Sequence, residues 1–114
     1  MNIDNIQKQL SDFANERNWD QFHNPKNLAM ALSVEASELV EIFQWLTPEQ
    51  AEAIMSSNES EHVKEEIADI MIYLIRMADK LNVDLENAVT DKIVKNGKRY
   101  PVSLSKGNAK KITI

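Results

Sequence analysis

Residues 60–81, with the sequence SEHVKEEIADIMIYLIRMADKL, decide the fold class of this chain. Apolar residues recur along the stretch at alternating spacings of four and three, which is the period of an amphipathic α-helix. Asn58 followed by Glu61 is typical of a helix start. The pattern therefore predicts a long helix that carries one apolar stripe, formed by Val63, Ile67, Ile70, Leu74, Met77 and Leu81.

A second long helix is predicted upstream of the first. Asn24 is expected to cap it, with Pro25 at its first position. No helix-breaking residue follows before Leu46, which allows about 22 residues or roughly 33 Å of helix. Thr47 and Gln50 then have the spacing of a capping box, which predicts a short third helix.

Shorter helices are expected on both sides of this pair. Residues 3–13 carry an apolar stripe of helical period, and Asp84 can cap a last helix that ends near Gly97. The chain has only two glycines and three prolines, too few turn residues for a fold of many short strands. We therefore predict an all-α bundle of four to five helices over 1–100, followed by an extended basic tail, 101–114.

Composition narrows the possible functions. A length of 114 residues allows one domain, and the absence of cysteine excludes disulfides, thiolate nucleophiles and cysteine-based zinc sites. We expect a cytoplasmic protein without a membrane partner, because the chain has no long apolar run and no basic-then-apolar leader. Residues 1–91 hold 18 acidic and 6 basic residues, whereas 92–114 hold 7 basic residues and no acid. The acidic part would repel a nucleic-acid backbone, so no nucleic-acid partner is expected.

Apolar residues near the end of the second long helix spread around its whole circumference. They are Ile42, Phe43, Trp45 and Leu46. One short chain supplies too few partners for such a surface. The sequence therefore predicts a homodimer or homotetramer whose subunits complete the helical core.

Two pairs of acidic residues stand out from the helical pattern. Glu35 occupies a position of the apolar stripe of the second helix, and Glu38 lies one turn further on. Glu66 and Asp69 have the same spacing on the other long helix. If the two helices pack together, these four carboxylates converge.

The negative charge of four converging carboxylates must be compensated, because each buried unpaired charge costs several kcal/mol. The stretch from Pro25 to Arg76 contains three cations, Lys26, Lys64 and Arg76, and none of them is placed among these acids. A divalent cation such as Mg²⁺ or Mn²⁺ suits an all-oxygen site, and Mg²⁺ sites are often completed by substrate phosphates. The same spacing also occurs at Glu49 and Glu52, so solvated acidic faces or an ion-pair network remain open alternatives.

Other residues allow a binding role or a structural one. Trp19 and Trp45, with Phe22, could stack on a nucleobase or belong to a core or a subunit contact. Tyr73 could contact a sugar or be a core residue, and His23 is expected to hydrogen-bond within its loop. Basic and polar residues near the end of the last helix could hold phosphates or be favoured there by the helix dipole. They are Lys92, Lys95, Asn96 and Arg99.

Three stretches of the sequence carry a resemblance to a known family. They are WDQFHNPKNLAMALSVEASELVEIFQW, EEIADIMIYL and KNGKRYPVSLSKG, which contain the ExxE and ExxD pairs separated by 28 positions. Together they resemble the MazG-like all-α nucleotide pyrophosphohydrolases and, within that family, the dCTP pyrophosphatase branch. The likeness runs from about Phe13 to Gly107.

The resemblance implies specific roles for individual residues. It implies that Mg²⁺ is bound by Glu35, Glu38, Glu66 and Asp69. It implies that substrate is bound by Trp19, His23, Trp45, Tyr73, Lys92, Asn96, Arg99 and Tyr100. Glu38 or Glu41 is expected to orient or deprotonate the attacking water. Leu10 stands where the vertebrate dCTP enzymes have a cytosine-contacting histidine, so the resemblance does not carry selectivity for cytosine over to this chain.

The resemblance also implies an activity. Members of the family cleave a nucleoside triphosphate between its α and β phosphates, and their active sites lie at the interface of a dimer or tetramer. The expected substrate is dCTP or a related dNTP. The alternatives are a house-cleaning hydrolase of non-standard dNTPs and a non-enzymatic helical dimer that binds a protein partner.

Overall fold

The computed structural model describes residues 1–110 and shows an all-α protein, as the sequence predicted. Six α-helices and two short 3₁₀ segments, Asp20–Phe22 and Ile54–Ser56, account for the regular structure of these residues. The helices are α1 (Ile3–Glu16), α2 (Pro25–Phe43), α3 (Pro48–Glu52), α4 (Ser60–Lys80), α5 (Leu85–Arg99) and α6 (Val102–Ser105). Two of them, α2 and α4, are the predicted long helices.

The chain divides into two compact units. The first, Met1–Asn82, contains α1 to α4, and α4 packs against both α2 and α1. The second, Val83–Ile114, contains α5 and α6. The helical turn of α6 lies where the sequence predicted an extended tail, so that expectation is wrong for residues 102–105; residues 111–114 of the predicted tail lie outside the described residues. The proposed boundary at residue 100 stays a prediction.

Helix starts follow the predicted caps in three cases. The side chains of Asn24 and Asp84 accept hydrogen bonds from the backbone N–H of the third residue of α2 and α5, respectively. Thr47 and Gln50 form the predicted reciprocal capping box at the start of α3. These short contacts fix where each helix begins because they satisfy backbone groups that a helix start leaves without partners.

Two predicted helix ends are displaced. Helix α4 begins after Glu59 instead of Asn58, and the Ser57 hydroxyl accepts the Glu59 N–H at 3.1 Å. Helix α5 continues through Gly97 to Arg99. The physical reason is the following proline, Pro101, which disfavours helical geometry at the residue before it and so ends the helix there.

The core of the first unit is small. Among residues 1–110, six apolar side chains are buried: Ala14, Leu28, Ile54, Val63, Ile75 and Ala78. Ile67, predicted as a core position, is 54% exposed, and the adjacent Glu66 is turned inward instead. Helix α4 is apolar on more than one side, so its sequence did not determine which side packs against α2.

Candidate active site

Three carboxylates from the two long helices meet where α2 and α4 pack together. Glu35, Glu38 and Glu66 each offer an oxygen, and these oxygens all lie within 4.8 Å of one another. Asp69, the fourth predicted ligand, is not part of this group and instead lines an adjacent cavity together with Glu35. The structure thus brings three of the four predicted acids together and leaves Asp69 on the cavity side of the cluster.

The acidic cluster is incompletely satisfied. Glu66 is only 7% exposed, and its Oε2 atom is buried without a hydrogen-bond partner in the described part of the chain. Glu35 Oε2 is also buried without a hydrogen-bond partner among the described residues. A buried polar oxygen that lacks a partner costs about 1–3 kcal/mol, and more when it carries charge. Such atoms call for a ligand that the protein does not itself provide.

Mutual repulsion changes the protonation of the cluster. The Glu66 carboxylate, within hydrogen-bonding reach, raises the pKa of Glu35 to about 7, and burial and the charge of Glu38 act in the same direction. Two carboxylates this close share a proton when no cation lies between them. An oxygen-only donor set of this charge fits a divalent cation such as Mg²⁺ or Mn²⁺.

A cavity of 440 Å³ lies beside the cluster within the first unit. It is lined by Leu10, Phe13, Trp19, His23, Glu35, Asp69, Ile72, Tyr73 and Arg76. Burial raises the pKa of the Tyr73 phenol, as do the charges of Glu35 and Asp69. The phenol therefore stays protonated at neutral pH and can donate a hydrogen bond beside the acids.

One wall of the cavity is aromatic. Phe13 and Trp19 meet edge to face with ring centroids 5.7 Å apart, and the Arg17 guanidinium lies 3.5 Å above the Phe13 ring. The Trp19 backbone N–H donates to the Ala14 carbonyl at 2.8 Å, which ties the loop to the end of α1. Both rings are almost half exposed, so a flat apolar group can reach them from solvent.

The part of the cavity formed by His23 and Arg76 contains a second polar network. Arg76 is 4% exposed, and its Nη2 donates to Asp20 Oδ1 at 2.7 Å. Its Nε donates to His23 Nδ1 at 3.2 Å, and its Nη1 lies 3.6 Å from Asp79 Oδ2. Lys80 also contacts Asp20. This network joins the 3₁₀ segment after α1 to the second half of α4.

An open groove of 620 Å³ lies on another side of the cluster and is lined by Glu38, Glu41, Ile42, Glu59 and His62. His62 Nδ1 lies 3.1 Å from Glu59 Oε2, and its Nε2 lies 3.6 Å from Glu66 Oε1. The hydrogen bond with Glu59 raises the pKa of His62. Glu41 thus faces the same groove as Glu38, while remaining outside the group of three converging acids.

The structure places the remaining predicted residues away from the cavity or in the other unit. Trp45 is 87% exposed and does not line the cavity that contains Trp19. In the second unit, the Arg99 guanidinium lies 5.6 Å from the centre of the Tyr100 ring, and the Tyr100 N–H donates to the Asn96 carbonyl. Lys92 lies one turn before Asn96 on α5. The substrate-binding roles of these residues stay predictions.

Arg76 lines the cavity and Asp20 accepts a hydrogen bond from it, and neither role was predicted from the sequence. Asp69, Tyr73 and Arg76 are spaced four and three apart, so they share one face of α4. That spacing indicates that Arg76 lies on the same face of α4 as two of the predicted site residues. Nothing local identified Asp20, because its contact with Arg76 joins residues 56 positions apart.

The fold and the cluster define an all-α protein with an acidic site that fits a divalent cation. Residues 30–113 match the MazG-like family, and the chain belongs to that family. No helix among residues 1–110 is long and apolar enough to cross a membrane.

Several known proteins similar to this chain are named pyrophosphatases. The chain is 44% identical over 112 residues to bovine dCTP pyrophosphatase 1 and 40% identical over 112 residues to the human protein of that name. Each alignment covers 97% of this chain and 66% of the relative, so the chain spans slightly less than two thirds of their length. It is also similar to a pyrophosphatase from Archaeoglobus fulgidus, with a TM-score of 0.80 and 37% identity over 86% of this chain and 91% of that structure.

Proposed function

We propose that this protein is a Mg²⁺-dependent nucleoside triphosphate pyrophosphohydrolase that cleaves dCTP or a related dNTP between the α and β phosphates. The products are the nucleoside monophosphate and pyrophosphate. The observation that carries the proposal is the pair of unsatisfied carboxylate oxygens on Glu35 and Glu66 beside a cavity with an aromatic wall. The names of the similar proteins support the same activity.

The acids on the two long helices would hold the cation: Glu35, Glu38, Glu66 and Asp69. When bound, Mg²⁺ neutralises charge on the phosphates and lowers the pKa of a coordinated water. Glu38 or Glu41 would orient the attacking water or take its proton, since both face the groove beside the cluster. The rigid helices hold these groups in place before substrate arrives, which limits reorganisation during the reaction.

The cavity residues would hold the nucleoside. Trp19 offers a flat surface on which a base can stack, and the Tyr73 hydroxyl can donate to the sugar. We propose that Lys92, Asn96, Arg99 and Tyr100 hold the phosphates. Cations and hydrogen-bond donors of this kind would stabilise the leaving pyrophosphate.

We also propose that the protein works as a homodimer or homotetramer. Trp45 is 87% exposed, and Met30, Val34 and Val40 on α2 are each more than half exposed. Burying this apolar surface between subunits would stabilise the protein and could bring Trp45 to a neighbouring cavity. Native mass spectrometry tests the assembly: W45S should shift the distribution toward monomer, and an unchanged distribution would contradict a role for Trp45 in it.

The central experiment incubates the protein with each dNTP and Mg²⁺, with and without EDTA, and resolves all phosphate-containing products. EDTA-sensitive formation of dNMP and pyrophosphate is expected. Formation of dNDP and phosphate would contradict the proposed cleavage position. Turnover of modified but not standard dNTPs would indicate the house-cleaning alternative. No turnover and no stabilisation by metal would favour the partner-binding module.

A further inference from the structure

His62 and Glu66 lie one turn apart near the start of α4, so both side chains are on one face of the helix. His62 Nε2 lies 3.6 Å from Glu66 Oε1. The His62 side chain is half exposed and lines the open groove, whereas Glu66 is buried. Two metal-ligating side chains at this helical spacing can hold one ion between them, as paired residues do in helical zinc sites. The pair is therefore a candidate chelate.

Glu59 determines which nitrogen of His62 is free. Glu59 Oε2 lies 3.1 Å from Nδ1, and because a carboxylate only accepts hydrogen bonds, Nδ1 carries the hydrogen of the neutral ring. Glu59 is itself held at the start of α4, where its backbone N–H donates to the Ser57 hydroxyl at 3.1 Å. Histidines that bind metals usually donate their second ring N–H to a carboxylate in this way. His62 thus has the orientation of a ligand whose free nitrogen is Nε2.

The free nitrogen faces other acceptors. In this tautomer Nε2 and Glu66 Oε1 both accept hydrogen bonds, so neither can donate to the other. Glu66 Oε2, on the same carboxylate, is buried and has no hydrogen-bond partner within residues 1–110. Glu38 and Glu41 add negative charge along the same groove from α2. This arrangement calls for a positive charge beside Nε2, which is supplied either by a proton on the ring or by a metal ion.

The distance between the two atoms indicates which class of metal ion fits. Zn²⁺ binds imidazole nitrogen and carboxylate oxygen at about 2.0–2.2 Å in a tetrahedron, which separates neighbouring ligand atoms by about 3.3–3.6 Å. Mg²⁺ requires an octahedron at about 2.0–2.1 Å, which separates neighbouring ligand atoms by only about 2.8–3.0 Å. The 3.6 Å between His62 Nε2 and Glu66 Oε1 matches the tetrahedral separation. Imidazole nitrogen also suits Zn²⁺, whereas Mg²⁺ prefers oxygen ligands.

We propose that His62 and Glu66 form a chelate for Zn²⁺ or a similar transition-metal ion in the groove beside the acidic cluster, with Glu59 orienting the imidazole. Water completes the coordination, since the groove is open to solvent, and Glu41 faces the same space. The chelate shares Glu66 with the acidic cluster but differs from it in having a nitrogen ligand. It is a property of the protein without nucleotide, so it goes beyond the proposed function and does not depend on it.

Nuclear magnetic resonance tests the chelate directly. Nitrogen-15 correlation spectra of the full chain are recorded at about pH 8, where protons compete less with the metal for the ring. Before metal is added, His62 should carry hydrogen on Nδ1 and none on Nε2. Zn²⁺ should shift the Nε2 resonance, leave the hydrogen on Nδ1 and leave the His23 ring unchanged. An Nε2 that does not respond to Zn²⁺, or that carries a hydrogen throughout, overturns the inference in favour of a charged pair between His62 and Glu66.

Isothermal titration calorimetry with Zn²⁺ and with Mg²⁺ separates the nitrogen ligand from the acids. The chain has two histidines, and His23 lines the other cavity, so H23Q is the matched control for H62Q. We expect H62Q to weaken Zn²⁺ binding by roughly tenfold or more and to leave Mg²⁺ binding unchanged, whereas H23Q should change neither. Equal Zn²⁺ affinity of the wild type and H62Q overturns the chelate.

The role of Glu59 has its own test. E59A removes the acceptor that holds Nδ1–H and should weaken Zn²⁺ binding by roughly tenfold while it leaves Mg²⁺ binding unchanged. Wild-type Zn²⁺ affinity in E59A overturns the orienting role of Glu59. Neither titration uses a nucleotide, so both results stand whether or not the protein hydrolyses a dNTP.

Discussion

Glu66 and Arg76 are the two buried charged residues among residues 1–110, and both lie on α4. Arg76 has a protein partner for each of its nitrogens. Glu66 has a buried oxygen without a partner and lies against Glu35, another acid. Burying a charge costs several kcal/mol unless the charge is paired. The protein itself pairs the charge of Arg76, whereas it leaves the charge of Glu66 incompletely paired. The difference indicates a structural role for Arg76 and a ligand-binding role for Glu66.

The largest effect is expected from substitution of Glu66, whose buried oxygen has no partner in the described residues. E66Q should lower kcat/KM by roughly 10²–10³-fold, because under the proposed function it removes a charged ligand of the cation while keeping the shape of the side chain. Far-ultraviolet circular dichroism should be unchanged. E65Q is the matched control, since Glu65 is the exposed neighbour on the same helix, and it should retain activity. Equal activity of E66Q and E65Q would contradict the assignment of Glu66.

The second prediction concerns Arg76, the buried charge that the protein itself pairs. R76M should lower the free energy of unfolding by about 2–3 kcal/mol, because it breaks a buried charge network whose partner Asp20 is half exposed. R17M removes an exposed guanidinium that stacks on Phe13 and should cost less than about 1 kcal/mol. Urea denaturation in metal-free buffer measures both values. Similar losses in the two variants would show that the Arg76 network adds no special stability.

The third prediction concerns the response to metal. Mg²⁺ at ten times its dissociation constant should stabilise the protein by about 1.4 kcal/mol, which corresponds to a rise in Tm of about 5 °C. NaCl of equal ionic strength should not reproduce the rise. E66Q should lose most of it, and E52Q, which alters an exposed acid of α3, should keep it. A rise that persists in E66Q would place the metal elsewhere.

The fourth prediction concerns the pH dependence of the metal-free protein. The pKa of Glu35 is about 7 in the folded state and is raised above its ordinary value of 4.5. The folded protein therefore holds a proton that the unfolded chain releases, so this group's contribution to stability is present below pH 4.5 and is lost as pH rises through about 7. Denaturation midpoints at several pH values should show this loss in the wild type and less of it in E35Q. An identical slope in both proteins would contradict it.

The helical pattern of the sequence predicted most of the fold and part of the candidate site. Glu35 was recognisable because it interrupts an apolar stripe, and the structure places it inside the helix pair. Asn24 and Asp84 were recognisable because capping is a local interaction. Ile67 was misplaced because α4 has apolar residues on more than one side, and only packing selects the inward side.

The rest of the site depends on contacts between distant parts of the chain. Arg76 meets Asp20 and His23 across 56 and 53 positions, and no local pattern indicates such a meeting. Trp45 illustrates a different limit, since its ring is 87% exposed and does not line the cavity that contains Trp19. The proposed homo-oligomer would give this ring a partner surface on another copy of the chain.

The 3₁₀ segment Asp20–Phe22 and the following His23 belong to a surface connection between α1 and α2, whereas the converging acids belong to long helices. Surface connections accept substitutions more readily than packed helices do. Under the proposed function, base preference would therefore be open to change by exchanging residues of a short connection, while the acids of the two long helices stay as they are.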